Sequence, residues 1–197
     1  METVAVIGAG GVGRTLAESL RGGGLEVTVG VRAPSGAGET TIAEAIASAG
    51  VVVIAVPGAA VEDLATAHGE ALAGRVVLDA SNDLSGGHGG AMHHMGAWAR
   101  HAPGAAVFRA FNTMGAENVA APRLAGRAAD LLYCGPEDAR ERAEAVIRAT
   151  GLRPVWVGGP EEADLLDGVT RLWFTLAFAR GRGRRLAFRV LEEPAPG

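Results

Sequence analysis

Short apolar runs alternate along the chain with stretches in which apolar residues recur every three or four positions, and glycine or polar breaks separate the two kinds. The apolar runs at 4–7, 26–31, 51–56, 76–80, 106–111, 131–134 and 154–157 are mostly bounded by Gly, Pro, Asn or Asp. Such runs fit strands covered on both faces. Between 8 and 24, Val12, Leu16 and Leu20 recur at four-residue spacing before Arg21 and three glycines end the pattern, which predicts a helix. A second helix is predicted from Pro136 to Gly151, with Ala139, Ala143, Val146 and Ile147 on one side. Strand and helix in alternation specify an α/β chain with a doubly wound, mostly parallel sheet of the Rossmann type. From Pro160 the pattern changes: Leu165, Leu166, Val169, Leu172, Trp173 and Leu176 predict a helix, Gly181 and Gly183 break it, and a short final helix is expected after them. That ending reads as a small helical cap.

The first strand runs directly into Gly8, Ala9, Gly10, Gly11, Val12 and Gly13. This G-x-G-x-x-G follows an apolar strand and opens a periodic helix, the context that gives the pattern its meaning. Gly8 permits a tight turn, Gly10 lets backbone approach a pyrophosphate, and Gly13 lets the helix pack closely on the strand. The helix N-terminus then faces the phosphates. About twenty residues onward, NAD-binding chains place a carboxylate on the ribose 2′-hydroxyl; here strand two ends in Gly30, Val31 and Arg32. A guanidinium suits a 2′-phosphate, so the residues favour NADP over NAD, the alternative being that Arg32 is an ordinary surface arginine. Residues 1–159 are accordingly expected to form the NADP-binding Rossmann domain, and 160–197 a cap packed on it in a single compact unit.

Composition narrows the chemistry. All 18 basic residues are arginine, which excludes lysine Schiff-base catalysis and dehydrogenase mechanisms built on a catalytic lysine. A net charge of −4 gives no reason to expect nucleic acid. The apolar stretch 51–61 is interrupted by Pro57 and falls well short of the roughly 20 residues a membrane helix needs. The single cysteine, Cys134, agrees with a reducing compartment, and a cytoplasmic location is expected. Cys134 itself ends an apolar strand and reads as a buried small hydrophobe.

Several blocks carry a family resemblance: the glycine loop, Gly30 and Arg32 after strand two, IAVP at 54–57, DASND at 79–83, AFNT at 110–113, CG at 134–135, and the ending from Thr170. Together they resemble the NADP oxidoreductases dependent on the deazaflavin coenzyme F420. The cytosolic reductase domain of the six-transmembrane ferric reductases is similar too. The resemblance implies hydride exchange between nicotinamide C4 and deazaflavin C5, the two rings stacked in one cleft, with F420 as co-substrate. No covalent catalytic residue is implied. By position, Gly8 to Gly13 and Arg32 are expected to hold NADP, with Val56 and Pro57 along it. Asn82, Asn112, Thr113 and Met114, at the carboxyl ends of strands four and five, are expected to line the nicotinamide and substrate cleft, which Trp173 or its neighbours on the cap could close. The resemblance also prompts a homodimer. The chain departs from the family at Val31, where Ser or Thr is usual, and in the loop 86–101.

That loop holds His88, His93, His94 and His101. Their spacing matches no structural zinc pattern, so no metal is expected; exposed loop histidines are the leading reading and a substrate-proton role the alternative. The basic run Arg180, Arg182, Arg184, Arg185 and Arg189 is read as a solvated helix face, the alternative being a site for the anionic tail of a deazaflavin. Three functions follow. The first is hydride transfer between NADP(H) and F420, and the second is reduction of a small organic substrate such as an imine or enone. The third is a non-enzymatic NADP-binding redox sensor, in which the chain's own side chains could fill the cleft.

Overall fold

The computed structural model describes residues 2–87 and 89–193; His88 and residues 194–197, expected as a frayed end, lie outside them. Strands β1 (Thr3–Ile7), β2 (Glu26–Val31), β3 (Glu39–Thr41), β4 (Val51–Ile54), β5 (Val76–Asp79) and β6 (Ala106–Arg109) form one parallel sheet in the order β3-β2-β1-β4-β5-β6. Helices α1 (Gly11–Gly22), α2 (Ile42–Ser48), α3 (Val61–His68) and α4 (Met95–His101) connect them. The order reverses between β1 and β4, and in such sheets ligands bind beyond the carboxyl ends of the strands at that point. Alternation along β1 shows why the sheet is doubly covered. Val4 and Val6 pack with Leu16 and Leu20 of α1 on one face, while Ala5 and Ile7 pack with Ile46, Leu64 and Trp98 on the other. Successive strand side chains point to opposite faces, and each fully buried Leu or Ile stabilises by roughly 1.5–3 kcal/mol.

The second half adds α5 (Ala116–Ala120), the hairpin β7 (Arg123–Leu124) and β8 (Arg127–Ala128), then β9 (Asp130–Tyr133), α6 (Arg140–Ala149) and β10 (Arg153–Trp156). β9 and β10 pair in parallel, and an antiparallel bridge between Arg109 and Cys134 joins β9 to β6. Helix α7 (Ala163–Phe174) follows and passes into a π-helical turn, Thr175–Ala179.

Three expectations are corrected. Val12 continues the spacing of Leu16 and Leu20 but is 44% exposed, whereas those two are fully buried; it stands at the first turn, beyond the reach of the sheet. β3 and α2 form where no element is expected. Thr41 and Glu44 cap α2 reciprocally, Thr41 Oγ1 accepting from the Glu44 N–H while Glu44 accepts from the Thr41 N–H. Among the described residues the short final helix does not form. Gly181 and Gly183 take positive φ, and the backbone beyond them bonds elsewhere: the carbonyls of Arg184 and Leu186 accept from Asn118 Nδ2, and Leu186 also from Trp173 Nε1. Farther on, the Val190 N–H donates to Asp130. Residues 181–193 thus run as a strap over α5 and β9.

Candidate functional site

The turn after β1 is built for close approach. Gly8 has φ +113, a region that strains residues with a β-carbon, and a β-carbon there would lie 2.5 Å from the Ala55 carbonyl oxygen. A β-carbon on Gly13 would collide with the carbonyl of Gly8, so glycine lets α1 sit on the turn. Around Gly10 and Gly11 the added carbon would meet nothing within 4 Å; the space is open where a phosphate needs it. No side chain caps α1 and no acid lies in its first turn, leaving its first N–H groups and the positive end of its dipole for an anion.

A cleft of about 640 Å³ opens from this turn. Gly8, Ala9, Gly10, Arg32, Val56 and Pro57 line it, all expected from the sequence. Its other wall comes from Ile42 of α2 and from Asp63, Leu64 and Ala67 of α3, which sequence reasoning missed. Arg32 is exposed at its edge. Gly11 and Gly13 are not in its lining. Gly13 serves the helix packing, and Val12 faces a different compartment.

That second compartment, about 150 Å³, lies beyond the carboxyl ends of β5 and β6. Val12, Asn82, Asn112, Met114 and Trp173 meet there, together with Phe174, a cap neighbour of Trp173, and Arg184 of the basic run. Thr113 is not in the lining; its side chain is buried and Oγ1 has no partner. Phe111, just before Asn112, holds φ +67, a left-handed backbone that costs a bulky residue energy and clusters at functional sites. Behind the compartment lies a buried polar network that the sequence did not reveal. Arg109 of β6 pairs with Asp167 of α7 at 2.6 Å, both side chains 1% exposed. It also donates to Asn82 Oδ1 at 2.8 Å and to the Ser81 carbonyl at 3.2 Å. Burial pulls the Arg109 pKa below its usual value and Asp167 opposes that. Asp167 in turn accepts from the Met92 N–H at 2.6 Å, so α7, the loop before α4 and the end of β5 are tied together.

The histidine loop differs from expectation. His93 and His94 are not exposed: their side chains are 19% and 11% accessible. His94 Nδ1 lies 3.1 Å from Ser81 Oγ and 3.8 Å from Asp79. Burial would raise the Asp79 pKa, but His94, Ser81 and Trp98 outweigh it and hold the carboxyl below its ordinary value. His93 lies 3.2 Å from Asp164. His93, Asp164 and Asp167 could each turn one atom toward a common point, within 4.8 Å of one another, yet Asp167 is already committed to a guanidinium and a backbone N–H. His101 lies 3.9 Å from Glu62.

The arginine run is not a helix face. Arg184 pairs with Glu117 and lies over the rings of Trp173 and Phe178, Arg185 donates to the carbonyls of Glu117 and Ala121, and Arg189 to that of Ala128. These three fasten the strap, while Arg180 and Arg182 are exposed. A third compartment of about 350 Å³ lies beside the second, lined by Leu84, Met92, Arg171, Phe174 and Phe178; Phe174 is shared by both. Cys134 is buried, which pushes its thiol up to about 11. Among the described residues, no helix is long and apolar enough to cross a membrane.

Residues 3–83 match the family described as NADP oxidoreductase, coenzyme F420-dependent. No curated protein matches the chain. Among solved structures, one described as a "putative f420 dependent nadp-reductase" from Arthrobacter sp. FB24 is 27% identical with a TM-score of 0.83, over 98% of this chain and 100% of that one. An imine reductase of Streptomyces aurantiacus is 21% identical with a TM-score of 0.68, over 91% of this chain and 64% of its own. An imine reductase of Aspergillus terreus, in complex with NADPH4 and dibenz[c,e]azepine, is 19% identical with a TM-score of 0.65, over 92% and 63%. The chain thus spans less than two thirds of the imine reductases, with which it shares the fold. The family match and the full-length likeness indicate an NAD(P)-dependent oxidoreductase.

Proposed function

We propose that this chain, whose residues 3–83 carry the sequence pattern of the F420-dependent NADP oxidoreductases, moves a hydride between NADP(H) and a deazaflavin of the F420 type. The observation that carries the reading is the placement of two compartments. The cleft at the glycine turn and the smaller one at Asn82 and Asn112 are both lined by the first turn of α1 or the residues just before it. A dinucleotide can then run from Arg32, past the N-terminus of α1, to the ends of β5 and β6. The residues present fit the group: the turn admits no β-carbon at Gly8 or Gly13, the space over Gly10 and Gly11 is open, and Asn112 keeps a buried oxygen without a partner.

The nicotinamide and the deazaflavin between them supply the redox chemistry, and the chain's work is to hold and orient. Arg32 meets the 2′-phosphate as a charge-assisted donor, and the free N–H groups of α1 meet the pyrophosphate. Asn82, Asn112 and Met114 set the nicotinamide at the strand ends. Trp173 and Phe174 of the 160–197 cap keep water from the reacting carbons, which need to approach to about 3–3.5 Å. No lysine, reactive thiol or nucleophile is required. NADPH and oxidised deazaflavin mixed with the purified protein should lose the deazaflavin absorbance at a rate proportional to protein. Binding of both cofactors without bleaching would refute the proposal.

A second reading has a specific support. The 350 Å³ compartment is largely apolar, with Leu84, Met92, Phe174 and Phe178 in its wall, and would hold a small imine or enone. Consumption of NADPH by a cyclic imine, in the absence of deazaflavin, would favour it.

A further inference from the structure

We infer that the compartment of about 350 Å³ binds a small zwitterion, an apolar ring that carries a carboxylate for Arg171 and a cationic nitrogen for Asp83. The inference rests on the second reading above and narrows its imine to an imino acid. Arg171, Phe174, Thr175 and Phe178 stand at i, i+3, i+4 and i+7 along the end of α7 and the π-helical turn, and all four wall the compartment. A guanidinium is a fork of several N–H donors. Arg171 commits Nη2 to the Gly90 carbonyl; Nη1 bonds to nothing among the described residues and, unlike Nε, is not closed off from solvent. No carboxylate of the described residues pairs with Arg171. Such a guanidinium is suited to take a ligand carboxylate through charge-assisted bonds, and Thr175 brings a hydroxyl to the same wall.

The opposite charge stands at Asp83 in the same lining. Its Oδ1 accepts from the Ser85 N–H at 2.8 Å, and the Ser85 hydroxyl and N–H together hold the carboxyl below its ordinary pKa, so Asp83 is ionised at neutral pH. Asp83 and Arg171 do not bridge each other. The compartment thus keeps two opposite charges apart, with Leu84, Met92, Phe174 and Phe178 as its apolar remainder. Leu84 and Phe178 are 65% and 54% exposed, apolar surface that a seated ring would take out of water. A plain acid meets Arg171 but is repelled by Asp83, and a plain amine does the reverse. A deazaflavin brings no cationic nitrogen, whereas a protonated imino acid answers both charges. Phe174 also lines the compartment at the strand ends, so the two spaces adjoin at that ring. Hydride from nicotinamide C4 then adds to the C=N carbon, and the π pair goes to the nitrogen, which already carries a proton. NADPH becomes NADP⁺, and the amine formed takes its second proton from water.

Two imines of one shape test it: 1-piperideine-2-carboxylate, and 2-methyl-1-piperideine, in which a methyl group replaces the carboxylate. With NADPH and wild-type protein, kcat/KM should be about 10- to 100-fold higher for the acid, the scale of a charge-assisted pair. Arg171→Met should bring that ratio close to one, and Arg171→Lys should restore part of it. Calorimetry on protein saturated with NADP⁺ gives a readout apart from turnover. Pipecolate, the reduced acid, should bind the wild type and bind Arg171→Met and Asp83→Asn about tenfold more weakly; cyclohexanecarboxylate and piperidine, with one charge each, should bind the wild type more weakly than pipecolate. An unchanged NADP⁺ affinity shows that each variant is folded. Equal kcat/KM for the two imines would overturn the inference, as would a ratio that survives Arg171→Met or pipecolate binding no better than cyclohexanecarboxylate. Should both imines leave NADPH unoxidised while pipecolate still binds through Arg171, the imine reading falls and the zwitterion site stands; with neither turnover nor binding, both fall.

Discussion

Replacing Asp167 with alanine should destabilise the protein through a charge it leaves behind. Arg109 and Asp167 are each 1% exposed and pair at 2.6 Å. With the carboxylate gone, the guanidinium keeps only the neutral acceptors Asn82 Oδ1 and the Ser81 carbonyl, and the Met92 N–H loses its acceptor. Breaking a buried pair on one side costs about 3–5 kcal/mol. For a chain of 150–250 residues each kcal/mol lowers Tm by about 2–4 °C, so Tm should fall by about 6–20 °C. The double variant Arg109→Met/Asp167→Leu should recover most of that loss, since an apolar pair of similar volume often matches a buried ion pair. Urea unfolding followed by tryptophan fluorescence and circular dichroism gives the free energies. An Asp167→Ala variant within about 1 kcal/mol of wild type would refute the reasoning, which places both charges beyond the reach of water.

Arg32→Ala should weaken NADP⁺ by about 10- to 100-fold, the scale of a lost charge-assisted hydrogen bond, and change NAD⁺ by less than about twofold; equal losses in calorimetry would remove Arg32 as the selecting residue. Asp79 has its pKa depressed in the folded protein, so its contribution is present above the ordinary carboxylate pKa and is lost as pH falls through the depressed value. Asp79→Asn should flatten the acid limb of a Tm-against-pH curve below about pH 4, and an unchanged limb would contradict the assignment.

Elements whose own residues carry the pattern were legible in the sequence. β1, the glycine turn, α1 and β2 follow from apolar runs, fixed glycine spacing and periodic leucines, and Arg32 stands at the end of β2. α6 shows the buried face read for it at Ala143, Val146 and Ile147. What escaped depends on distant partners. β3 is three residues long at the sheet edge, whereas α2 carries its own signal: Thr41 and Glu44 open a stretch in which Ile42, Ala45, Ile46 and Ala49 recur at helical spacing. The strap replaces a helix because Asn118 and Trp173 bind its carbonyls from far along the chain. Arg109 sits within an apolar strand pattern, and its partner Asp167 lies in another element. His93 and His94 looked like loop residues until Asp164, Asp79 and Ser81 closed around them.

The central claim is a direct hydride transfer between the two cofactors, and isotope labelling tests it most directly. NADPH carrying deuterium at the transferred C4 position, mixed with oxidised deazaflavin and the purified protein, should give reduced deazaflavin with the label at C5, read by mass spectrometry. The account predicts near-complete retention of deuterium in the deazaflavin, since Trp173 and Phe174 shield the compartment and no group of the chain takes the hydride. Reduced deazaflavin without the label, or NADPH oxidised with the deazaflavin untouched, would contradict it.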